Sequence, residues 1–146
     1  MNPGTTLSID TVSPVGGASL YSAREGLLCE MRFRGGRLHS ARLMEAIDSL
    51  FNITGLKPDS IDFITVSAGP GSFTGLRVGM STAKGFCYAL GIPMVLVSSL
   101  EAMAVSAGAF RGLIVPVFDA RKKEVYAAVF SSAGGQPERV IDDAPM

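Results

Sequence analysis

Residues 113–130 read LIVPVFDARKKEVYAAVF, a strand-forming run that reaches an aspartate, turns, and continues as a second strand-forming run. Residues 6–21, TLSIDTVSPVGGASLY, have the same layout, with Asp10 in the position of Asp119. A repeated strand–aspartate–turn–strand unit predicts two lobes of one architecture. Two unrelated hairpins that each use aspartate at a turn are the alternative.

The segments between these two hairpins alternate between strand-like and helix-like patterns. Three strand-forming runs with short turns predict an antiparallel meander, and apolar residues then recur at helical spacing. The resulting order βββαβαβα predicts an α/β fold with a mixed five-stranded sheet, because its parallel strands need helical crossovers. The predicted strands are 5–11, 18–22, 27–34, 61–68 and 94–98, and the predicted helices are 38–53, 74–90 and 98–108.

The domain organisation follows from the repeat. We expect a complete first lobe over residues 1–110 and the start of a truncated second lobe over residues 111–146. The last stretch, SSAGGQPERVIDDAPM, is polar, and we expect no further strand or helix in it.

Composition narrows the class of protein. With 47% hydrophobic and 18% charged residues among 146, the chain is typical of a globular protein. Thirteen basic residues balance thirteen acidic ones, so no overall field attracts nucleic acid or an anionic membrane. We expect no secretory signal; the sequence has no apolar run of membrane-spanning length, and Cys29 and Cys87 have no metal-type spacing. We therefore expect a cytoplasmic protein with free thiols and no membrane contact.

Two hairpins of this kind are typical of actin-like and sugar-kinase ATPases, in which glycine- and hydroxyl-bearing turns bind phosphates through backbone N–H groups. Here Pro14 removes a donor from the first turn, and three long basic side chains fill the second turn at 121–123. Asp10 and Asp119 are able to orient water on a magnesium ion, or to bond their own turns. The hairpins therefore indicate a lobe that lacks the phosphate-binding turns of an ATPase.

A glycine loop, SAGPGSFTGLR at 67–77, is the second candidate for phosphate chemistry. Its G-x-G-x-x-x-G spacing matches neither the dinucleotide fingerprint nor the P-loop. The plain interpretation is a tight turn into a helix with Ser72 or Thr74 as N-cap. Arg77 then places a cation at the positive end of the helix dipole, so an anion or a partner's carboxylate is expected beside it. The candidate anion or nucleotide contacts are Asp10, Gly69, Gly71, Ser72, Thr74 and Arg77.

The predicted helix 74–90 lies in a stretch without a single acidic residue between Asp62 and Glu101. One of its faces is apolar, and a second carries small residues at positions 78, 82, 85 and 89. A helix apolar on nearly all sides is buried on nearly all sides, so the second face should meet another helix. That helix is either 38–53 of this chain or part of another subunit.

Metal chemistry has little support in the sequence. His39 is the only histidine, and Leu43 stands where an H-x-x-x-H motif needs its second ligand. We expect no metal site and no catalytic residue in this chain.

The stretches LSIDT, LHSARLMEAIDSLF, ITVSAGPGSFTGLRVGMSTAKGFCYALGIPMVLVSSLEAMA and FDARKKEVYAAVF together resemble the TsaB (YeaZ) family over nearly the whole chain. The resemblance implies an actin-like (ASKHA, ribonuclease H-like) fold and a non-catalytic paralogue of TsaD. It implies that the protein acts with TsaD and the ATPase TsaE in forming threonylcarbamoyladenosine beside the tRNA anticodon, and reaches tRNA only through that complex. ATP and metal are then expected only in the complex.

The same resemblance implies a helical surface used both in homodimers and in the heterodimer with TsaD. Carried over, it comprises residues of both predicted helices: His39, Arg42, Leu43, Ala46, Leu50, Thr74, Arg77, Val78, Ser81, Thr82, Gly85 and Ala89. The alternative functions are an actin-like or sugar-kinase-type ATPase and a glycoprotease-like metallopeptidase.

Overall fold

The computed structural model describes residues 4–34, 39–121 and 123–145, with the side chains of His39 and Arg121 outside the description. The chain divides into two compact units. The first comprises the described residues up to Ser67 together with Ser72–Leu96, and the second comprises Ala68–Gly71 and the residues from Val97 onwards.

The first unit is built on a five-stranded sheet in the order β3-β2-β1-β4-β5. The strands β1 (Thr5–Asp10), β2 (Val15–Ser22) and β3 (Gly26–Arg34) form the predicted antiparallel meander. The strand β4 (Phe63–Gly69) pairs with β1 in parallel, and β5 (Met94–Ser98) follows on the far edge. The predicted mixed five-stranded sheet is therefore confirmed.

Two helices of this unit, α1 (His39–Thr54) and α2 (Phe73–Leu90), lie within two residues of their predicted bounds. The Ser72 side chain caps α2, and Gly91 ends it with a left-handed φ of 68° that glycine adopts without strain. The two helices and the sheet share one core, and α1 packs beside α2. Its fully or nearly fully buried members are Leu7, Ile9, Ala18, Leu20, Leu43, Ile47, Leu50, Phe51, Ile61, Ile64, Val66 and Ala83.

The second unit contains α3 (Ser99–Ser106) and the strands β6 (Arg111–Ile114), β7 (Val117–Arg121), β8 (Glu124–Ala133) and β9 (Glu138–Pro145). β8 is central and pairs antiparallel with the other three strands. Pro116 separates β6 from β7, because proline has no N–H to donate to the ladder. The β7–β8 pair gives the second predicted hairpin, with Asp119 opposite Val125.

One expectation needs correction here. The polar tail forms the strand β9, since a strand at a sheet edge can be solvated along much of its length and lacks the apolar alternation that reveals buried strands. The contacts divide the chain near residue 97, because α3 packs on β8 and shares a small core of Leu100, Ala104, Ala128 and Phe130 with the second sheet. The lobe boundary at 110/111 stays a prediction.

Candidate functional site

The turn between β1 and β2 is hydrogen-bonded to the start of α2. The Thr11 hydroxyl donates to the main-chain carbonyl of Gly75 at 2.7 Å and is fully buried. The Val12 carbonyl accepts from the N–H of Ser72 at 2.7 Å. The Asp10 carboxylate accepts from the N–H of Val12 at 3.1 Å, so of its two predicted roles the structure shows the bond to its own turn.

Three N–H groups at the start of α2 are engaged inside the chain. Besides the bond from Ser72 to Val12, the Gly75 N–H donates to the Ser72 hydroxyl at 3.2 Å, and the Leu76 N–H donates to the Ser72 carbonyl at 2.8 Å. Ser72 thus caps α2 and also joins the start of the helix to the β1–β2 turn. We call this intrachain contact of Thr11 and Val12 with the start of α2 the joint.

Glycines make this joint possible. A Cβ placed on Gly75 would lie 1.9 Å from the Thr11 carbonyl oxygen, and one on Gly79 would lie 2.5 Å from the Thr11 hydroxyl. With Ala83 one turn further on, these positions form the face of α2 that is buried in the first unit. The glycines of the TGLRVG segment therefore serve a close approach of helix to turn.

Of the other loop glycines, Gly69 is buried and ends β4 with a φ of 101°, a left-handed value that explains the need for glycine. Gly71 follows the intervening proline. Both are grouped with the second unit, whereas Asp10, Ser72, Thr74 and Arg77 are in the first. The candidate set of anion contacts stays a prediction.

The opposite face of α2 is open to solvent. Thr74, Arg77, Ser81, Gly85 and Ala89 are exposed, whereas Val78 and Thr82 are half-buried. The small-residue stripe at positions 78, 82, 85 and 89 therefore lies along one edge of the exposed face. The centre of the exposed face runs through positions 77, 81, 84 and 88.

Two aromatic residues at the ends of this exposed face were missed. Tyr88 is 93% exposed and Phe73 is 74% exposed. Their signal in the sequence was hidden, because both lie among the many apolar residues of this helix. Large aromatic side chains left in water are typical of surfaces that a partner covers.

The guanidinium of Arg77 lies over one of these two aromatic rings, that of Phe73. It lies 5.7 Å from the centre of that ring, within range of a cation–π contact. Within the described parts of the chain it forms no ion pair with a carboxylate. The charge at the start of α2 is therefore held in place but not neutralised.

The surface implied on α1 needs correction at three positions. Leu43 and Leu50 are fully buried in the core of the first unit, because they lie on the side of α1 that covers the sheet. Ala46 is also buried, whereas Arg42 is half-buried and donates to the main-chain carbonyl of Arg34. The exposed apolar residues of α1 are Met44 and Ile53, and the side chain of His39 lies outside the described residues.

Cys87, on the inner flank of α2, has its thiol directed to the main-chain carbonyl of Pro93 at 3.7 Å. Desolvation raises the pKa of this thiol above its ordinary value, because burial disfavours the thiolate. Among the described side chains, no three His, Cys, Asp or Glu residues are grouped closely enough to hold a metal ion. No helix in the described ranges has the length and hydrophobicity to cross a membrane.

Comparisons with known proteins agree with this architecture. The family described as "TsaD: tRNA N6-adenosine threonylcarbamoyltransferase" matches residues 34–145. The tRNA threonylcarbamoyladenosine biosynthesis protein TsaB of Bacillus subtilis is 38% identical over 139 residues, 95% of this chain and 60% of that protein. Its counterpart from Haemophilus influenzae is 34% identical over 125 residues, 84% of this chain and 52% of that protein. The chain thus spans 52–60% of the length of these curated relatives.

The structure of YeaZ from Pseudomonas aeruginosa superposes with a TM-score of 0.85 at 27% identity, covering 98% of this chain and 67% of that one. The predicted α/β, actin-like lobe with its mixed five-stranded sheet is thereby confirmed. By the family match, the two relatives and this structural likeness, the chain belongs to the TsaB/YeaZ family, which is related to TsaD.

Proposed function

We propose that this chain is the partner-binding part of a non-catalytic subunit that supports TsaD in forming threonylcarbamoyladenosine in tRNA. The family supports the pathway, and the exposed face of α2 supports the mode of action. In this proposal TsaE acts on the same complex, ATP and metal bind to the partner proteins, and the assembly works in the cytoplasm.

The observation that carries the proposal is the composition of the outward face of α2. It combines exposed aromatic residues at both ends with small residues and the cations Arg77 and Lys84 between them, and its stretch of sequence holds no acidic residue from position 63 to 100. Small side chains allow the axis of a second helix to come close, and the aromatic ends supply the apolar area that stabilises such a contact.

The revised contact surface is smaller than the one implied by resemblance. On α2 it comprises Thr74, Arg77, Ser81, Gly85, Tyr88 and Ala89, with Val78 and Thr82 at its flank. On α1 it retains Arg42 and adds the exposed Met44, while the buried leucines support the surface from below. The same surface serves a homodimer when the chain is alone.

Gly85 offers a clean test, because a Cβ there would have no neighbour within 4 Å and its backbone φ is not left-handed. Gly85→Glu should leave the isolated chain folded and place a charged side chain in the contact. We expect the variant to lose most binding to TsaD of the same organism in isothermal titration calorimetry, and to shift the homodimer towards monomer in sedimentation.

Ala23→Glu is the matched control, since Ala23 is exposed in the β2–β3 turn of the same unit. It adds the same charge away from α2 and should bind TsaD like the wild type. Equal binding of the wild type, Gly85→Glu and the control would contradict the proposal, as would absence of any complex between the wild-type chain and TsaD.

A further inference from the structure

The strands β6 and β7 together form one edge of the second sheet. Both pair with the same side of β8, and β9 takes the other side. The register against β8 continues without a shift from Arg111, opposite Ala133, to Asp119, opposite Val125. None of the described strands pairs with the outer side of β6 or β7. Residues 111–119 therefore follow one line along a sheet edge.

Side chains along this edge alternate between the two faces of the sheet. The even-numbered Ile114 and Phe118 pack against the small core that the sheet shares with α3. The odd-numbered side chains lie on the opposite face and are all exposed, and we call them the edge row: Arg111, Leu113, Val115, Val117 and Asp119. The three aliphatic members are between 52% and 66% exposed. The edge row is thus an uncovered apolar strip with a charge at each end.

The edge row is complementary to itself. Val115 is its midpoint, with a guanidinium four residues before it and a carboxylate four residues after it. A two-fold axis through Val115 relates two antiparallel copies, and it brings Arg111 of each copy to Asp119 of the other, as an isologous contact requires. In the ranges that the structure describes, Arg111 forms no ion pair within its own chain. The charge pattern therefore fits a second copy of this chain.

We propose that two copies of this chain pack antiparallel through their edge rows, about a two-fold axis at Val115. Pro116 has no N–H and lies in the middle of the edge, so side-chain packing carries the contact and strand pairing does not. Two sheets that pack face to face keep their strand directions within about 30° of each other, which leaves the end charges within reach of the long arginine side chain. The same face adds apolar area from Val125, Val129 and Ile141.

This contact is independent of the proposed function and weaker than a standard interface. The edge row and its three neighbours comprise eight residues, whereas a stable interface takes about 20–30 residues on each side. The contact therefore forms only when the chain is concentrated. The wild type then joins its α2 dimers into larger assemblies, and Gly85→Glu, monomeric when dilute, pairs through the edge row.

The test is analytical ultracentrifugation of Gly85→Glu between about 1 μM and about 1 mM, the range of weak contacts. We expect a reversible change from monomer to dimer. Adding Val115→Lys should weaken this dimer at least about tenfold, because the ammonium groups of the two copies would meet at the axis. Val105→Lys is the matched control, since Val105 is an exposed valine of α3 in the same unit, and it should leave the association unchanged.

Charge reversal tests the antiparallel arrangement. On the Gly85→Glu background, Arg111→Asp places two carboxylates at each end of the contact, and Asp119→Arg places two guanidinium groups there. Each variant alone should associate about tenfold more weakly than its parent, because like charges oppose each other. An equimolar mixture of the two restores opposite charges at both ends and should form a heterodimer within about threefold of the parent affinity.

A Gly85→Glu chain that stays monomeric throughout this range would overturn the proposal. So would a dimer that survives Val115→Lys, or a mixture that associates no better than its two components. Val115→Lys in the otherwise wild-type chain should still bind TsaD, and loss of that binding would assign the edge row to TsaD instead. Failure of the edge-row contact is thereby distinguishable from failure of the proposed function, which the binding of Gly85→Glu to TsaD tests.

Discussion

The buried hydroxyl of Thr11 donates to the main-chain carbonyl of Gly75, across 64 positions of sequence. This bond joins the turn of the first hairpin to the first turn of α2. In an actin-like ATPase a turn of this kind is positioned to bind phosphate. In this chain it binds a helix, and the helix presents its other face outward. The joint thus orients the surface that we assign to TsaD.

The two glycines Gly75 and Gly85 should respond oppositely to alanine. Gly75→Ala forces a Cβ to within 1.9 Å of the Thr11 carbonyl oxygen, so the joint must open, and we expect a loss of at least about 3 kcal/mol in unfolding free energy. Gly85→Ala meets open space in a helix interior and should gain about 0.5–1 kcal/mol. Urea denaturation followed by circular dichroism measures both. An unfolding free energy of Gly75→Ala equal to that of the wild type would contradict the close contact between Thr11 and α2.

The order of elements and the cap of α2 followed from the sequence because they depend on local signals. Helical spacing of apolar residues, Ser72 before the helix and Gly91 after it are all read within a few positions. The orientation of α2 was not predicted, although Thr74, Arg77, Ser81 and Lys84 recur at helical spacing and lie on its exposed face. The contact of Gly75 and Gly79 with Thr11 fixes the opposite face inward.

The same limit explains the misplaced site residues. Leu43 and Leu50 belong to the apolar stripe of α1, and a stripe does not reveal whether its helix covers a sheet or a partner. Tyr88 was passed over for the complementary reason, since it lies among apolar residues that suggested burial. The strand β9 lacks the alternation that marks a half-buried strand, although it follows β8 directly and pairs with it as an antiparallel hairpin.

Tyr88 should contribute to binding and not to folding. Because 93% of it is exposed, Tyr88→Ser should change the unfolding free energy of the isolated chain by less than about 0.5 kcal/mol. Its affinity for TsaD should fall at least about tenfold, as expected for an aromatic anchor in a contact. Leu27→Ser, at an exposed apolar position on β3, is the control and should bind normally. Calorimetric titration separates the two, and equal affinities would remove Tyr88 from the contact.

The Cys87 thiol should ionise at higher pH than an ordinary cysteine. Its pKa is raised in the folded chain because desolvation disfavours the thiolate, so its contribution to stability is complete below the unfolded pKa and is lost as pH rises through the folded pKa. Alkylation by iodoacetamide, followed site by site by mass spectrometry, should therefore accelerate at higher pH than in the urea-unfolded chain. Coincident pH profiles for the two states would show that the thiol is solvated. In a Cys87→Ala variant the alkaline loss of stability should be smaller.

Ser98 joins two elements of the second unit, and its removal should loosen α3. Its hydroxyl accepts from the N–H of Glu101 at 3.2 Å as the N-cap and donates to the Asp143 carboxylate of β9 at 2.6 Å. Ser98→Ala removes both bonds, so we expect α3 amides to lose about 1–2 kcal/mol of protection in native-state hydrogen exchange.

Ser106→Ala, at the other end of the same helix, removes only a hydroxyl bonded to the carbonyl of Ala102 and should cost less than about 0.5 kcal/mol. Asp143→Asn keeps an oxygen that can accept from Ser98 but weakens the charge-assisted bond, and it should fall between the two. This order would show that the cap and its carboxylate act together on α3. Equal protection in Ser98→Ala and Ser106→Ala would show that packing of Leu100 and Ala104 on β8 holds the helix without its cap.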